Sequence, residues 1–112
     1  MLNTIAELPS YISLAEKHLT QEERQAIIDF LAKNPKSGDL MQGTGGVRKL
    51  RWSKGNRGKS GGVRVIYYFH SDKLPLYLVT LFAKNERDNL TDQECNDLAK
   101  LVDILISTWE KK

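Results

Sequence analysis

Seven consecutive residues, Val63-Arg64-Val65-Ile66-Tyr67-Tyr68-Phe69, are β-branched or aromatic at every position but one. Such side chains pack well on a pleated surface and lose little freedom there, so the run is a strand. His70-Ser71-Asp72-Lys73 has the composition of a turn, and Leu76 to Phe82 is a second, near-continuous apolar strand. Two strands so closely joined pair as an antiparallel hairpin. A chain of 112 residues organised around that hairpin is a single domain, 1–112.

Helical signals lie on either side. Pro9 suits a first helical turn, and Tyr11, Ile12, Leu14, Ala15 and Leu19 recur at helical spacing. Thr20 with Glu23 is a capping box that opens a second helix, with Ala26, Ile27, Phe30 and Leu31 as its apolar stripe and an end near Asn34-Pro35. Thr91 with Glu94 repeats the device before Leu98, Leu101, Val102, Leu105, Ile106 and Trp109. Leu2 to Glu7 reads as a short edge strand and Val47 to Trp52 as a strand ahead of the hairpin. The expected fold is α+β, an antiparallel sheet packed on N-terminal helices with a C-terminal helix. One sheet face is expected to be covered and the other left open to a ligand.

Charge is segregated along the chain. No acidic residue occurs between Asp39 and Asp72, while Arg48, Lys49, Arg51, Lys54, Arg57, Lys59 and Arg64 do. The remainder holds ten basic and fourteen acidic residues. All eight glycines fall between Gly38 and Gly62, and Ser53 to Gly61 reads as a flexible basic loop. A concentrated positive field favours a polyanionic partner, and nucleic acid is the first candidate. The plainer alternative, a solvated basic face, suits three or four charges better than seven.

Several chemistries are set aside. A single cysteine, Cys95, provides neither a disulfide nor a metal-ligand pair. Gly58-Lys59-Ser60 is not a phosphate loop, because Ser53 stands where the first glycine belongs and a strand follows instead of a helix. His18 reads as a packed or surface histidine and His70 as a turn residue more readily than as a base. No apolar run reaches the length of a membrane span, and no basic-then-apolar leader opens the chain, so a cytoplasmic protein is expected. What the basic window offers is cations on strands: Lys49 and Arg51 share one face, and Arg64 lies with Ile66, Tyr68 and His70 on one face of the next. Lys84 and Arg87 follow the last strand.

In this order the motifs resemble the RelE/HigB-type toxins of bacterial toxin–antitoxin modules, especially the HigB-like branch. The resemblance rests on Asn34-Pro35, Gln42-Gly43-Thr44-Gly45-Gly46-Val47-Arg48-Lys49, the basic glycine loop, Gly61-Gly62-Val63-Arg64-Val65-Ile66-Tyr67-Tyr68 and Phe82-Ala83-Lys84-Asn85-Glu86. It implies a ribosome-dependent mRNA endonuclease, working without a metal or other cofactor and silenced by a cognate antitoxin. That antitoxin is expected to be of the helix-turn-helix, HigA-like kind, with operator DNA bound only through the toxin–antitoxin complex. The family's strand arginine falls on Arg64 and its basic residue after the last strand on Lys84, the two expected catalytic groups. RNA-holding cations fall on Lys49, Arg51, Lys54, Arg57 and Lys59, with Arg87 added from its place beyond the hairpin. The C-terminal tyrosine of RelE proper has no counterpart, since no tyrosine follows Tyr77; that departure favours the HigB-like branch. The alternative is a non-catalytic RNA- or ribosome-binding module using the same basic face, with Tyr68 as a stacking platform.

Overall fold

The computed structural model describes residues 3–53, 62–87 and 89–110. In chain order these form β1 (Ile5–Glu7), α1 (Pro9–His18), α2 (Gln21–Lys33), β2 (Asp39–Leu40), β3 (Val47–Trp52), β4 (Val63–Tyr68), β5 (Leu76–Ala83) and α3 (Asp92–Glu110). Leu2, the loop residues 54–61 and Asp88 lie outside the described residues.

The strands form one sheet in the order β1-β5-β4-β3-β2. The hairpin β4–β5 and the β3–β4 pair are antiparallel, as expected. The sheet as a whole is mixed, because β1 runs parallel to β5, with Ile5 opposite Leu76. Two helices separate β1 from the rest of the sheet, and a crossover of that length is what a parallel pairing needs. β2 adds a two-residue edge that pairs Asp39 with Lys49 and Leu40 with Arg48.

The expectation of one open sheet face is corrected. All six residues of β4 are buried, and helices lie on both sides of it. On one face Val63, Val65 and Tyr67 meet Tyr11 and Ala15 of α1 and Ile27 and Leu31 of α2. On the other, Ile66, Tyr68, Val79 and Phe82 meet Leu98 and Val102 of α3. A central strand apolar at nearly every position requires cover on both faces, since an exposed face would leave its alternate side chains in water. Between Ile66 and Tyr67 the β4–β5 register slips by one residue, so Tyr67 faces Leu78 and Val79 is the extra residue of a bulge.

In α2 the buried stripe is Ile27, Leu31 and Ala32 instead of the expected set. Ala26 is exposed, and Phe30 lies edge-on to Trp52 with centroids 5.7 Å apart. Residues 26 and 30 sit about 100° around the helix from 27 and 31, and the sheet takes the second pair. Both capping boxes are formed. Thr20 and Glu23 bond each other's backbone amides, and Thr91 and Glu94 do the same at 2.8 and 3.1 Å.

The segment leading into β2 is tied to the sheet from below. The Tyr67 hydroxyl accepts from the Gly38 amide at 2.8 Å and donates to the Pro35 carbonyl at 2.9 Å. Arg48 donates to the carbonyls of Lys36 and Gly38. One cation of the basic window is thereby committed to structure.

Candidate nucleic-acid interface

The register of three strands decides which cations meet. Leu50 and Trp52 turn toward α1 and α2, which places Lys49 and Arg51 on the opposite face with Val47. Across the sheet, Arg51 is the partner of Arg64, and Arg64 is the partner of Phe82. Directly opposed residues hold their Cβ atoms about 4.5–5.5 Å apart, and like charges so placed destabilise a sheet. The fold nonetheless sets two arginines side by side on adjacent strands. Arg64 is 8% exposed and its guanidinium lies 3.4 Å from the Val63 carbonyl, while Arg51 is exposed. A largely buried arginine on the central strand is held in one orientation by its surroundings, and its planar fork matches a phosphate.

Lys49 lies one step along β3, half-buried, and its Nζ donates to Asn89 Oδ1 at 3.0 Å. Lys84 follows β5 directly, exposed, and its backbone amide donates to Gly62 O at 3.1 Å. That bond extends the β4–β5 ladder by one rung beyond Val63 and Ala83, so Lys84 reaches the same end of the sheet as Arg64. Gly62 is obligatory here. Its φ is +68°, and a Cβ would lie 2.0 Å from the Trp52 carbonyl oxygen.

Arg87 is differently placed. Its guanidinium sits over the Phe82 ring, 5.2 Å from the centroid, and makes a two-pronged pair with Glu94 as well as bonds to the Asn89 carbonyl. The pair holds the Glu94 carboxyl down at about 2 and raises the Arg87 guanidinium. Arg64 thus stands opposite Phe82 with Arg51 on the next strand, Arg87 lies over the Phe82 ring, Lys84 comes directly after β5, and Lys49 shares the face of Arg51 on β3. Lys54, Arg57 and Lys59 fall outside the described residues. Phe82, Asn89 and Glu94 are neighbours that the sequence reading did not connect to the cations. Only the seven-residue spacing from Arg87 to Glu94 hinted at the last, and that spacing bridges two elements.

The histidines stand apart. β4 ends at Tyr68, four residues or about 13 Å along the strand from Arg64, and His70 lies beyond that end. His70 Nδ1 lies 3.1 Å from the Tyr68 hydroxyl. Tyr68 itself is 3% exposed beneath α3, and burial, then the charge of Asp103, raises its phenol above the ordinary value. His18 lies 3.8 Å from the Glu86 carboxylate.

A mixed five-stranded sheet with helices on both faces, carrying paired guanidinium groups at the end of its hairpin, defines a small α+β domain with a basic sheet end. Residues 11–112 match the family model described as the RelE toxin of the RelE/RelB toxin–antitoxin system, and the chain belongs to that family. Its fold is similar to that of a mutant E. coli toxin RelE in the free state, with a TM-score of 0.57 at 14% identity over 88% of this chain and 95% of the other. The chain is therefore the toxin of a toxin–antitoxin module, and an antitoxin is its partner.

Proposed function

We propose that this toxin is an endoribonuclease of the HigB-like branch that cuts messenger RNA on the ribosome, and that Arg64 holds the phosphate at which the strand breaks. The observation that carries the reading is the opposition of Arg51 and Arg64 on neighbouring strands. Two guanidinium groups on neighbouring strands can share one anion, and each planar fork matches the oxygens of a phosphate.

The 2′-hydroxyl gives up its proton to solvent as its oxygen attacks its own 3′-phosphorus, forming the new P–O bond in line with the bond to the 5′-oxygen, which breaks. Negative charge builds on the non-bridging oxygens, and cations already aimed there stabilise it more than they stabilise the ground state. Arg64 serves those oxygens and Arg51 backs it. Lys84 delivers a proton to the leaving 5′-oxygen, so the products are a 2′,3′-cyclic phosphate and a 5′-hydroxyl. Lys49, with the loop cations Lys54, Arg57 and Lys59, extends the positive track for the strand. Arg87, paired to Glu94, adds field and packs Phe82. No metal is needed in this scheme. Alignment of the message comes from the ribosome, and alignment alone is worth several kcal/mol of the barrier. A helix-turn-helix antitoxin silences the module in the cytoplasm. The non-catalytic alternative has less support, because the aromatic ring it would stack bases on, Tyr68, is 3% exposed.

Primer extension on messages from cells briefly induced for wild type and for Arg64→Ala tests the reading. Discrete cuts in translated regions are expected for wild type, vanishing when translation is blocked. Arg64→Ala should reduce them by about 100-fold or more, as loss of one preorganised donor to a developing oxyanion does. Undiminished cutting by a folded Arg64→Ala protein would remove Arg64 from the mechanism.

A further inference from the structure

Lys84, assigned above as the proton donor, opens the turn that follows β5. Its amide is tied to Gly62 O at 3.1 Å, and the Ala83 carbonyl accepts from the Glu86 and Arg87 amides at 3.0 and 3.3 Å. The last two bonds close the turn on itself, so only its first residue is fixed to the sheet by backbone. A cavity of about 310 Å³ adjoins the rest, with Leu14, His18, Phe82, Glu86, Arg87 and Leu90 in its walls. Where a cavity stands in place of packed side chains, fewer dispersion contacts hold the wall.

Side chains from both flanking helices reach the turn instead. Arg87 pairs with Glu94 of α3. On the other side Glu86 meets His18, the last residue of α1, whose Nε2 lies 3.8 Å from Glu86 Oε1. The His18 side chain is 14% exposed and that of Glu86 56%. α1 is itself seated on the sheet, with Tyr11 and Ala15 buried in the core and Ser10 Oγ 3.0 Å from Thr80 Oγ1 of β5. His18 is thus a largely buried group on an anchored helix, and Glu86 is the exposed arm that reaches it.

We infer that His18 is a positioning residue for RNA cleavage: its imidazolium draws Glu86 toward α1 and so holds the turn where the Lys84 ammonium meets the departing 5′-oxygen. The inference rests on the nuclease reading and on the role given there to Lys84. His18 touches no RNA in this arrangement and acts through Glu86, two residues beyond Lys84. Small displacements of a reacting group are costly in rate. Because the Glu86 carboxylate is more than half exposed, the pair biases the turn by a modest factor, about fivefold. The Arg87–Glu94 pair holds the same turn from the α3 side and is untouched by changes at His18.

The test is single-turnover cutting of a message on programmed ribosomes, at mildly acidic pH, which favours the imidazolium. Glu86→Gln and His18→Leu should each slow cutting about fivefold at saturating ribosomes, with the half-saturating concentration unchanged. His18→Arg, a permanent cation, should restore the rate, which a histidine needed only for packing would not allow. In a Lys84→Ala background neither Glu86→Gln nor His18→Leu should slow cutting further, because the group they position is gone. Thermal melts check folding, and the exposed Glu86→Gln decides the matter should His18→Leu not fold. An unchanged rate for Glu86→Gln, or an equal further loss in the Lys84→Ala background, overturns the inference and leaves the nuclease reading intact. If wild type cuts no RNA, or Lys84→Ala cuts at the full rate, the reading beneath falls first and this inference with it.

Discussion

Arg64 and Arg87 both flank Phe82. Arg87 is closed into a pair with Glu94, and the same carboxylate also caps α3 through the Thr91 amide. Because Arg87, with the cap, holds Glu94 at about 2, well below its ordinary value of 4.5, the pair stabilises the protein at neutral pH. The sign follows from the depressed folded value. The contribution is complete above about pH 4.5 and is lost as pH falls toward 2. Glu94→Gln keeps an acceptor for the cap and removes the charge, so it isolates the pair. Denaturant melts across pH 2–7 should show Glu94→Gln less stable by no more than about 1 kcal/mol at neutrality, since both side chains are over a third exposed. The two curves should converge in acid. At this scale the capping box was legible because it is local in sequence. The Arg87 pair was not, because it joins the turn after β5 to the first turn of α3.

Among the elements, β3, β4 and β5 were readable from composition and alternation, and their register places Arg51 against Arg64. The remaining geometry depended on partners far away in the chain. β1 pairs in parallel across two helices, and β2 is only two residues long, too short for any periodic signal. The cover of the second face by α3 did leave a trace, the apolar character of Leu76 to Phe82, broken only at Thr80, which a strand open to water on one side would lack. The junction that delivers Arg64 rests on Gly62. Gly62→Ala should cost more than about 2 kcal/mol, because left-handed strain adds to a collision with the Trp52 backbone. Gly43→Ala shares the positive φ but meets nothing within 4 Å, so about 1 kcal/mol is expected. Urea unfolding of both variants checks the order. Equal losses would mean that the close approach at Gly62 is relieved without cost.

Over the whole molecule, the acid-free stretch between Asp39 and Asp72 contains β3 and β4, while the acidic surplus lies elsewhere in the chain. That separation was visible in the sequence. Which cations face one another was not, because Arg48 is committed to carbonyls and Lys49 to Asn89. The central claim is that these groups promote attack by the RNA's own 2′-hydroxyl, and the chemistry of the cut ends tests it most directly. RNA cut by the purified toxin on programmed ribosomes should carry 5′-hydroxyl ends that accept label from a kinase without prior dephosphorylation, and 2′,3′-cyclic phosphates on the upstream fragments. Ends bearing 5′-phosphate and 3′-hydroxyl would show that water, not the 2′-hydroxyl, breaks the strand, and would contradict the role given to Arg64 and Lys84.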